Sequence, residues 1–345
     1  MTEPLLVLTD VHKRFDLRAG GLGIFRGSSA SLVALDGVSL ELHEQEILGV
    51  VGESGSGKST LAKAIVRLNR PESGTVAYRG RDVFALERRD AAETTRRIQL
   101  IYQDPYSSLN PRMKVKSAIG EAARVHRYAE RSTVDAVVKE LLSKVHLAPG
   151  VAELYPRELS GGQRQRVAIA RALAARPEIL IADEAVSALD VSVQAQVLNL
   201  LLELQQELKL AVLFISHQLA VVSQVASRIA VMYLGRIVET GPVEEVFHRP
   251  SHPYTQALLA AQPGAHRRGE QRVPALRGEI PSPMDIPAGC RFRTRCRFAE
   301  ERCASIDPPA AQVAPDHLAW CHVLPPPAAP PHVPVEPSRL GDAAG

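Results

Sequence analysis

The sequence lacks any long hydrophobic run. Its most apolar stretches, such as Leu210-Ala211-Val212-Leu213-Phe214-Ile215, are strand-length and far short of the ~20 residues that cross a bilayer. The opening MTEPLLVLTDVHKRF has no basic segment followed by an apolar core, so no secretory leader is read there. An excess of one charge is also missing: 41 Lys+Arg against 38 Asp+Glu leave a net of +3, too balanced for a surface built around nucleic acid. Cysteine is absent before Cys290, and all four cysteines fall between Cys290 and Cys321, which argues against a secreted disulfide framework. No internal repeat is visible. These absences leave a cytosolic protein whose attachment to a membrane would run through a partner. Its 345 residues, 45% of them hydrophobic, suffice for one large core and a smaller satellite.

What is present is a set of phosphate-handling motifs. Gly52-Glu53-Ser54-Gly55-Ser56-Gly57-Lys58-Ser59 fits G-x-x-x-x-G-K-[ST]. The apolar run Ile47-Leu48-Gly49-Val50-Val51 precedes it as a strand buried on both faces, and Ser59-Thr60-Leu61-Ala62 opens a helix. Strand, glycine loop and helix together turn the pattern into a site. Gly52, Gly55 and Gly57 let successive backbone N–H groups turn toward phosphates, and the helix aims its positive end at the same oxygens. Lys58 is placed for the β- and γ-phosphates and the Ser59 hydroxyl for Mg²⁺. Glu53, Ser54, Ser56 and Thr60 complete the candidate nucleotide contacts.

Ile179-Leu180-Ile181-Ala182 is an apolar strand ending in Asp183 and Glu184. There Asp183 suits Mg²⁺, and Glu184 suits a general base for the attacking water. Alone, the pair reads as a solvated acidic turn; Ser187-Ala188-Leu189-Asp190 and His217, at the end of the next strand, argue for function. His217 can hydrogen-bond a γ-phosphate oxygen and register its loss, and Asp190 joins the nucleotide-site candidates. Gln103, after Ile98-Gln99-Leu100-Ile101-Tyr102, can meet Mg²⁺ or the attacking water.

Leu159-Ser160-Gly161-Gly162-Gln163 adds a second anion-binding helix end. Ser160 is a natural N-cap, Gly161 and Gly162 expose the first N–H groups, and the helix is predicted over Gln163–Ala175. One nucleotide needs only one such cradle beyond its glycine loop. Two antiparallel copies would sandwich two nucleotides, each between one loop and the other chain's LSGGQ.

Strands predicted at Leu5–Leu8, Ile98–Tyr102, Ile179–Asp183, Ala211–Ser216 and Ile229–Tyr233 alternate with helices, so the fold class is α/β with an inserted helical subdomain at about 104–158. Ala19–Ser31, rich in Gly and Ser, reads as a loop. Composition shifts after Phe247, which divides the chain into 1–250, a 251–324 segment carrying the cysteines, and a 325–345 tail. A short helix to Ala261 and an Arg-rich linker precede the cysteines. Seven of the thirteen residues from Pro325 to Pro337 are proline, so the tail is expected to be disordered.

With these motifs in this order the chain resembles the ATP-binding subunits of bacterial oligopeptide/dipeptide ABC importers, over roughly residues 4–322. LSGGQ is the ABC signature. Tyr102-Gln103-Asp104-Pro105-Tyr106-Ser107-Ser108-Leu109-Asn110-Pro111-Arg112, the run Ser187 to Gln196, His252-Pro253-Tyr254-Thr255 and the run Gly289 to Cys296 are typical of the peptide branch, and the Gly/Ser-rich insertion of its F-type subunit. The resemblance implies a phosphate-loop core with a helical subdomain and a small cysteine-containing C-terminal domain, and ATP hydrolysis that powers peptide import. It implies Phe15 stacked on adenine and the 104–158 region receiving two transmembrane permeases. It also implies a homologous D-type ATPase partner (or a second copy), an extracytoplasmic binding protein acting indirectly, and a place at the cytoplasmic face of the inner membrane. Two residues depart from the family: Ala185 where proline usually follows the glutamate, and Gln218 where aspartate usually follows the histidine. A turnover-deficient regulatory module stays open on that account. A DNA-repair ATPase would need a long coiled coil before LSGGQ, and a ribosome-acting one a second ATPase domain. Nickel or another small solute is an alternative cargo.

Cys290, Cys296, Cys303 and Cys321 are separated by five, six and seventeen residues. The residues themselves leave open zinc, a [4Fe–4S] cluster or unligated thiols, with His317 and His322 keeping a mixed zinc site in view. The family resemblance implies the iron–sulfur cluster, with Arg291, Arg293, Arg295, Arg297 and Arg302 offsetting its charge.

Overall fold

The computed structural model describes residues 3–17, 30–261 and 278–324. Chain order runs β1 (Leu6–Leu17), β2 (Ala30–Leu42), β3 (Ile47–Val51), α1 (Lys58–Ile65), β4 (Ser73–Tyr78), β5 (Arg81–Asp82), α2 (Arg88–Arg97), β6 (Ile98–Ile101) and α3 (Pro105–Ser108). It continues with α4 (Val115–Val125), α5 (Val134–Lys144), α6 (Gly161–Leu173), β7 (Ile179–Asp183), α7 (Val191–Leu208), β8 (Ala211–Ser216), α8 (Leu219–Ser223) and β9 (Arg228–Tyr233). β10 (Arg236–Pro242), α9 (Val243–His248), α10 (Pro253–Ala260), β11 (Ala310–Ala314) and β12 (His317–Trp320) complete it.

A mixed sheet has the order β11-β12-β10-β9-β3-β8-β7-β6, and an antiparallel sheet the order β2-β1-β4-β5. From β9 to β6 the large sheet is parallel, as continuous apolar runs with both faces covered require. Alternation along each strand divides its side chains between two cores. Leu48, Val50, Leu213, Ile215, Ile179 and Ile181 face the antiparallel sheet and α1, while Ile47, Val51, Val212, Phe214, Leu180 and Ala182 join a core shared with α4–α8. The inserted helices α4 and α5 are held through Ile119, Val138, Leu141 and Leu142.

Leu5–Leu8 proves to be the start of a twelve-residue strand, and Ala30 and Ser31, expected in a loop, pair with Leu17 and Asp16. The rest of that Gly/Ser-rich stretch, most of the Arg-rich linker and the proline-rich tail lie outside the described residues. The C-terminal segment is not a detached satellite: β12 pairs with β10, Glu239 opposite Ala319, and Phe292 enters the main core.

Beneath that joint lies a buried polar knot. Glu239, fully buried, accepts from the backbone N–H groups of Ser251 (2.7 Å) and His252 (3.0 Å), and the His317 ring approaches it at 2.8 Å. Such a carboxylate is tolerable only with partners of this kind. His252 caps α10 by accepting the Tyr254 N–H at Nδ1, 3.1 Å away. Burial pushes its pKa from 6.5 down to about 4, against the pull of Glu239. The unfolded chain therefore takes up a proton that the folded chain refuses, so stability is full above about pH 6.5 and falls by on the order of 3 kcal/mol as pH drops to about 4. His252→Asn keeps a cap acceptor without the titration. It should flatten the loss of stability between about pH 7 and about pH 5, read as urea midpoints; an unchanged slope would assign that loss to other groups.

Candidate nucleotide site

β3 delivers the glycine loop directly into α1. A Cβ at Gly52 would lie 2.1 Å from the Met232 carbonyl oxygen, and one at Gly57 2.3 Å from that of Ala34; Gly57 also sits at φ +106°. Only glycine fits these two turns, and the close backbone approach shapes the cradle. Lys58, 4% exposed, donates from Nζ to the carbonyls of Gly52 (2.8 Å) and Glu53 (2.9 Å) and to Ser56 Oγ (3.3 Å). Burial lowers its pKa, opposed by Glu184, Asp183 and Glu53. Ser59 Oγ donates to Asp183 Oδ1 at 3.2 Å. Burial raises the pKa of Asp183, the Ser59 bond lowers it, and Glu184 raises it again. The Ser59 hydroxyl and the Asp183 carboxylate form a donor pair with the oxygen chemistry that Mg²⁺ takes.

The ends of three adjacent parallel strands supply the next group. Glu184 follows β7 at φ +48°, a conformation that side chains rarely adopt and that recurs at functional positions. Its Oε2 accepts from Gln103 Nε2 at 2.8 Å, beyond β6, and lies 3.5 Å from Nδ1 of His217, beyond β8. The Glu184 N–H bonds the Ile215 carbonyl, and Ser187 Oγ donates to the Glu184 carbonyl, which fixes the turn. The Gln218 amide reaches back to His217 Nε2 at 3.4 Å.

At α6, Ser160 Oγ accepts from the Gln163 N–H (3.2 Å) and Gln163 Oε1 from the Ser160 N–H (3.0 Å), a reciprocal cap. Ser160 and Gly161 are exposed. This helix end leans on the segment that follows Glu184 in the same chain. A Cβ at Gly161 would meet Leu189 at 3.4 Å, and one at Gly162 would collide with Val193 at 2.4 Å. Asp190 caps α7 by accepting from Val193 N–H (3.0 Å) and Ser192 Oγ (2.8 Å), bonds that hold its pKa below the usual carboxylate range. Phe15, half-buried on β1, has Lys13 Nζ 5.3 Å from its ring centroid.

Two residues join the loop although the motifs that contain them did not point to it. Tyr254 Oη accepts the Glu53 N–H at 2.8 Å, and Arg295 grips the Glu53 carboxylate with two bonds, 2.6 and 3.1 Å. They lie 201 and 242 residues away in sequence, and no local pattern connects them.

The cysteines correct an expectation. Burial raises the pKa of Cys290 and pushes that of Cys296 up to about 11, and the neighbouring cysteines add to both shifts. Yet among the described residues no three His, Cys, Asp or Glu are grouped to hold a metal ion, so neither the [4Fe–4S] cluster nor zinc is supported. The residues expected to serve it are engaged elsewhere. His317 meets Glu239, and His322 Nε2 lies 2.9 Å from the Ile306 carbonyl. Arg291 binds Asp36 and the Leu234 carbonyl, Arg293 the Ala288 carbonyl, Arg295 Glu53, and Arg302 Glu300 and the His322 carbonyl.

Family comparison agrees with this geometry. Residues 35–187 match the family described as ABC transporter, and residues 238–303 the oligopeptide/dipeptide transporter C-terminal region. The chain is 45% identical to the oligopeptide transport ATP-binding protein AppF of Bacillus subtilis, over 93% of this chain and 98% of that one. It is 47% identical to the oligopeptide transport ATP-binding protein OppF of Salmonella typhimurium, over 88% and 92%. Among solved structures, the ATP-binding cassette MJ0796, a dimer in a post-hydrolysis state bound to ADP and Pi, matches with TM-score 0.59 at 27% identity over 69% of this chain and 98% of that one. No helix among the described residues is long and apolar enough to cross a membrane. The chain belongs to the ATP-binding proteins of the oligopeptide/dipeptide ABC transporter family.

Proposed function

We propose that this chain hydrolyses ATP to drive peptide import through two membrane permeases, as half of an ATPase dimer with a homologous D-type subunit, at the cytoplasmic face of the membrane. The observation that carries the proposal is the convergence of Gln103, Glu184 and His217, from three strand ends, beside the Lys58–Ser59–Asp183 group. The backbone of residues 52–60 cradles the phosphates, and Lys58 exchanges loop carbonyls for phosphate oxygens. Ser59, Asp183 and the side-chain oxygen of Gln103 would hold Mg²⁺, which supplies charge neutralisation at the β- and γ-phosphates. Glu184 accepts a proton from the attacking water, and His217 donates to a γ-phosphate oxygen. Phe15 supports the adenine. Ser160, Gly161, Gly162 and Gln163 serve the partner's nucleotide, and Asp190 braces the segment between the two sites. The peptide cargo rests on the names of the relatives and the C-terminal family match. Its test is uptake by vesicles holding this chain with a D-type subunit and two permeases, supplied with the binding protein and internal MgATP. Labelled oligopeptide should accumulate only with ATP inside; uptake of nickel with no peptide uptake would overturn the assignment.

A further inference from the structure

Glu53 is the junction between the glycine loop and the C-terminal segment. Its carbonyl accepts from Lys58 Nζ, its N–H is held by Tyr254 Oη, and its carboxylate is held by Arg295. Neither partner can move away easily. Tyr254 is fully buried, and its ring packs at a tilt against Tyr233 (4.6 Å between centroids) and Phe292 (5.4 Å). The Arg295 side chain is 4% exposed, its guanidinium 5.9 Å from the Tyr233 ring, and the backbone N–H of the same residue donates to the Phe292 carbonyl. The grip on Tyr254 continues inward through the His252 cap to Glu239.

A carboxylate inside a phosphate loop opposes the polyanion that the loop must bind. A two-pronged guanidinium cancels that charge in a fixed direction, which a mobile lysine or a solvent cation would not do. We propose that Arg295 and Tyr254 are positioning residues of the nucleotide site: they neutralise and anchor Glu53, so that Lys58 and the loop backbone are set for phosphate. The ATP affinity of the core thus depends on the C-terminal segment. The inference rests on the reading of residues 52–60 as the ATP site.

The test uses the full chain and a fluorescent ATP analogue with Mg²⁺, which reports affinity without turnover. Arg295→Ala should weaken binding by about tenfold and raise KM for ATP while changing kcat by less than about threefold. Arg295→Lys should fall between, since it restores charge without the second bond. Tyr254→Phe, which keeps the ring, should cost about threefold. The distinguishing arm is Glu53→Gln combined with Arg295→Ala: removing the stranded charge should recover part of the lost affinity. A merely structural arginine gives the opposite pattern, a lower unfolding temperature with unchanged affinity in Arg295→Ala, or no recovery in the double variant, and either overturns the proposal. If Arg295→Ala does not fold, Arg295→Gln and Tyr254→Phe carry the same comparison. A wild-type chain that binds the analogue but never hydrolyses ATP would sink the proposed function and leave this comparison intact; one without MgATP affinity would overturn the inference itself.

Discussion

Glu184→Gln should lower ATP turnover by about 10²- to 10⁴-fold and leave MgATP affinity unchanged. The substitution is nearly isosteric. A side-chain oxygen can still accept from Gln103 Nε2, which now bonds Glu184 Oε2 at 2.8 Å, so the strand-end group stays assembled. What disappears is the capacity to take a proton from water. The contacts assigned to the phosphates, at Lys58, Ser59 and the loop backbone, are untouched. ATP should therefore persist in the site and hold two chains together, because whatever binds only the closed dimer stabilises it. Size-exclusion chromatography with ATP, with and without Mg²⁺, should show a dimer peak in the variant that the wild type loses as it hydrolyses. Near-normal turnover would remove Glu184 from the role of base. Ala185 and Gln218 touch this same site and leave LSGGQ intact, so any deficit they cause falls on the nucleotide bound to this chain's own loop.

β7 and β8 were legible because each is a short, unbroken apolar run that ends at a polar residue with chemistry. Ile179–Asp183 and Ala211–Ser216 coincide with β7 and β8, and the residues just past them are the site. Parallel sheets present the carboxyl ends of their strands on one edge, so order along the sequence becomes proximity in space. The antiparallel sheet was harder to see. β1 runs through His12, Lys13, Arg14 and Asp16, whose charges read as the end of a strand when one face is open to solvent. A two-residue edge piece such as β5 carries too few residues for any period to emerge. The attachment of the C-terminal segment was illegible for another reason. Arg291 and Arg295 look like counter-charges for nearby cysteines when only sequence distance is available, whereas folding carries them to the partly buried Asp36 and Glu53. Side-chain chemistry predicted that they needed an anion, and only the fold could say which one.

Lys58→Ala should weaken MgATP binding by at least about 10²-fold, a larger loss of affinity than any other change considered. Each hydrogen bond from a charged donor contributes about 1.5–3 kcal/mol, and Lys58 is assigned more than one phosphate oxygen. The loop also loses its internal tie: the carbonyls of Gly52 and Glu53 and the Ser56 hydroxyl all accept from Lys58 Nζ. The nucleotide-free chain need not suffer in proportion, because burial already disfavours this ammonium and its removal relieves that cost. The two effects separate in a thermal-shift experiment. At a ligand concentration of 100 Kd the wild type gains about 2.7 kcal/mol from ATP; with Kd raised about 10²-fold the gain at the same concentration drops to about 0.4 kcal/mol. The ATP-induced rise in Tm should thus nearly vanish in the variant while its ligand-free Tm stays close to the parent's. Equal ATP-induced shifts in the two proteins would mean that Lys58 only scaffolds the loop and that the phosphates are held by the backbone amides alone.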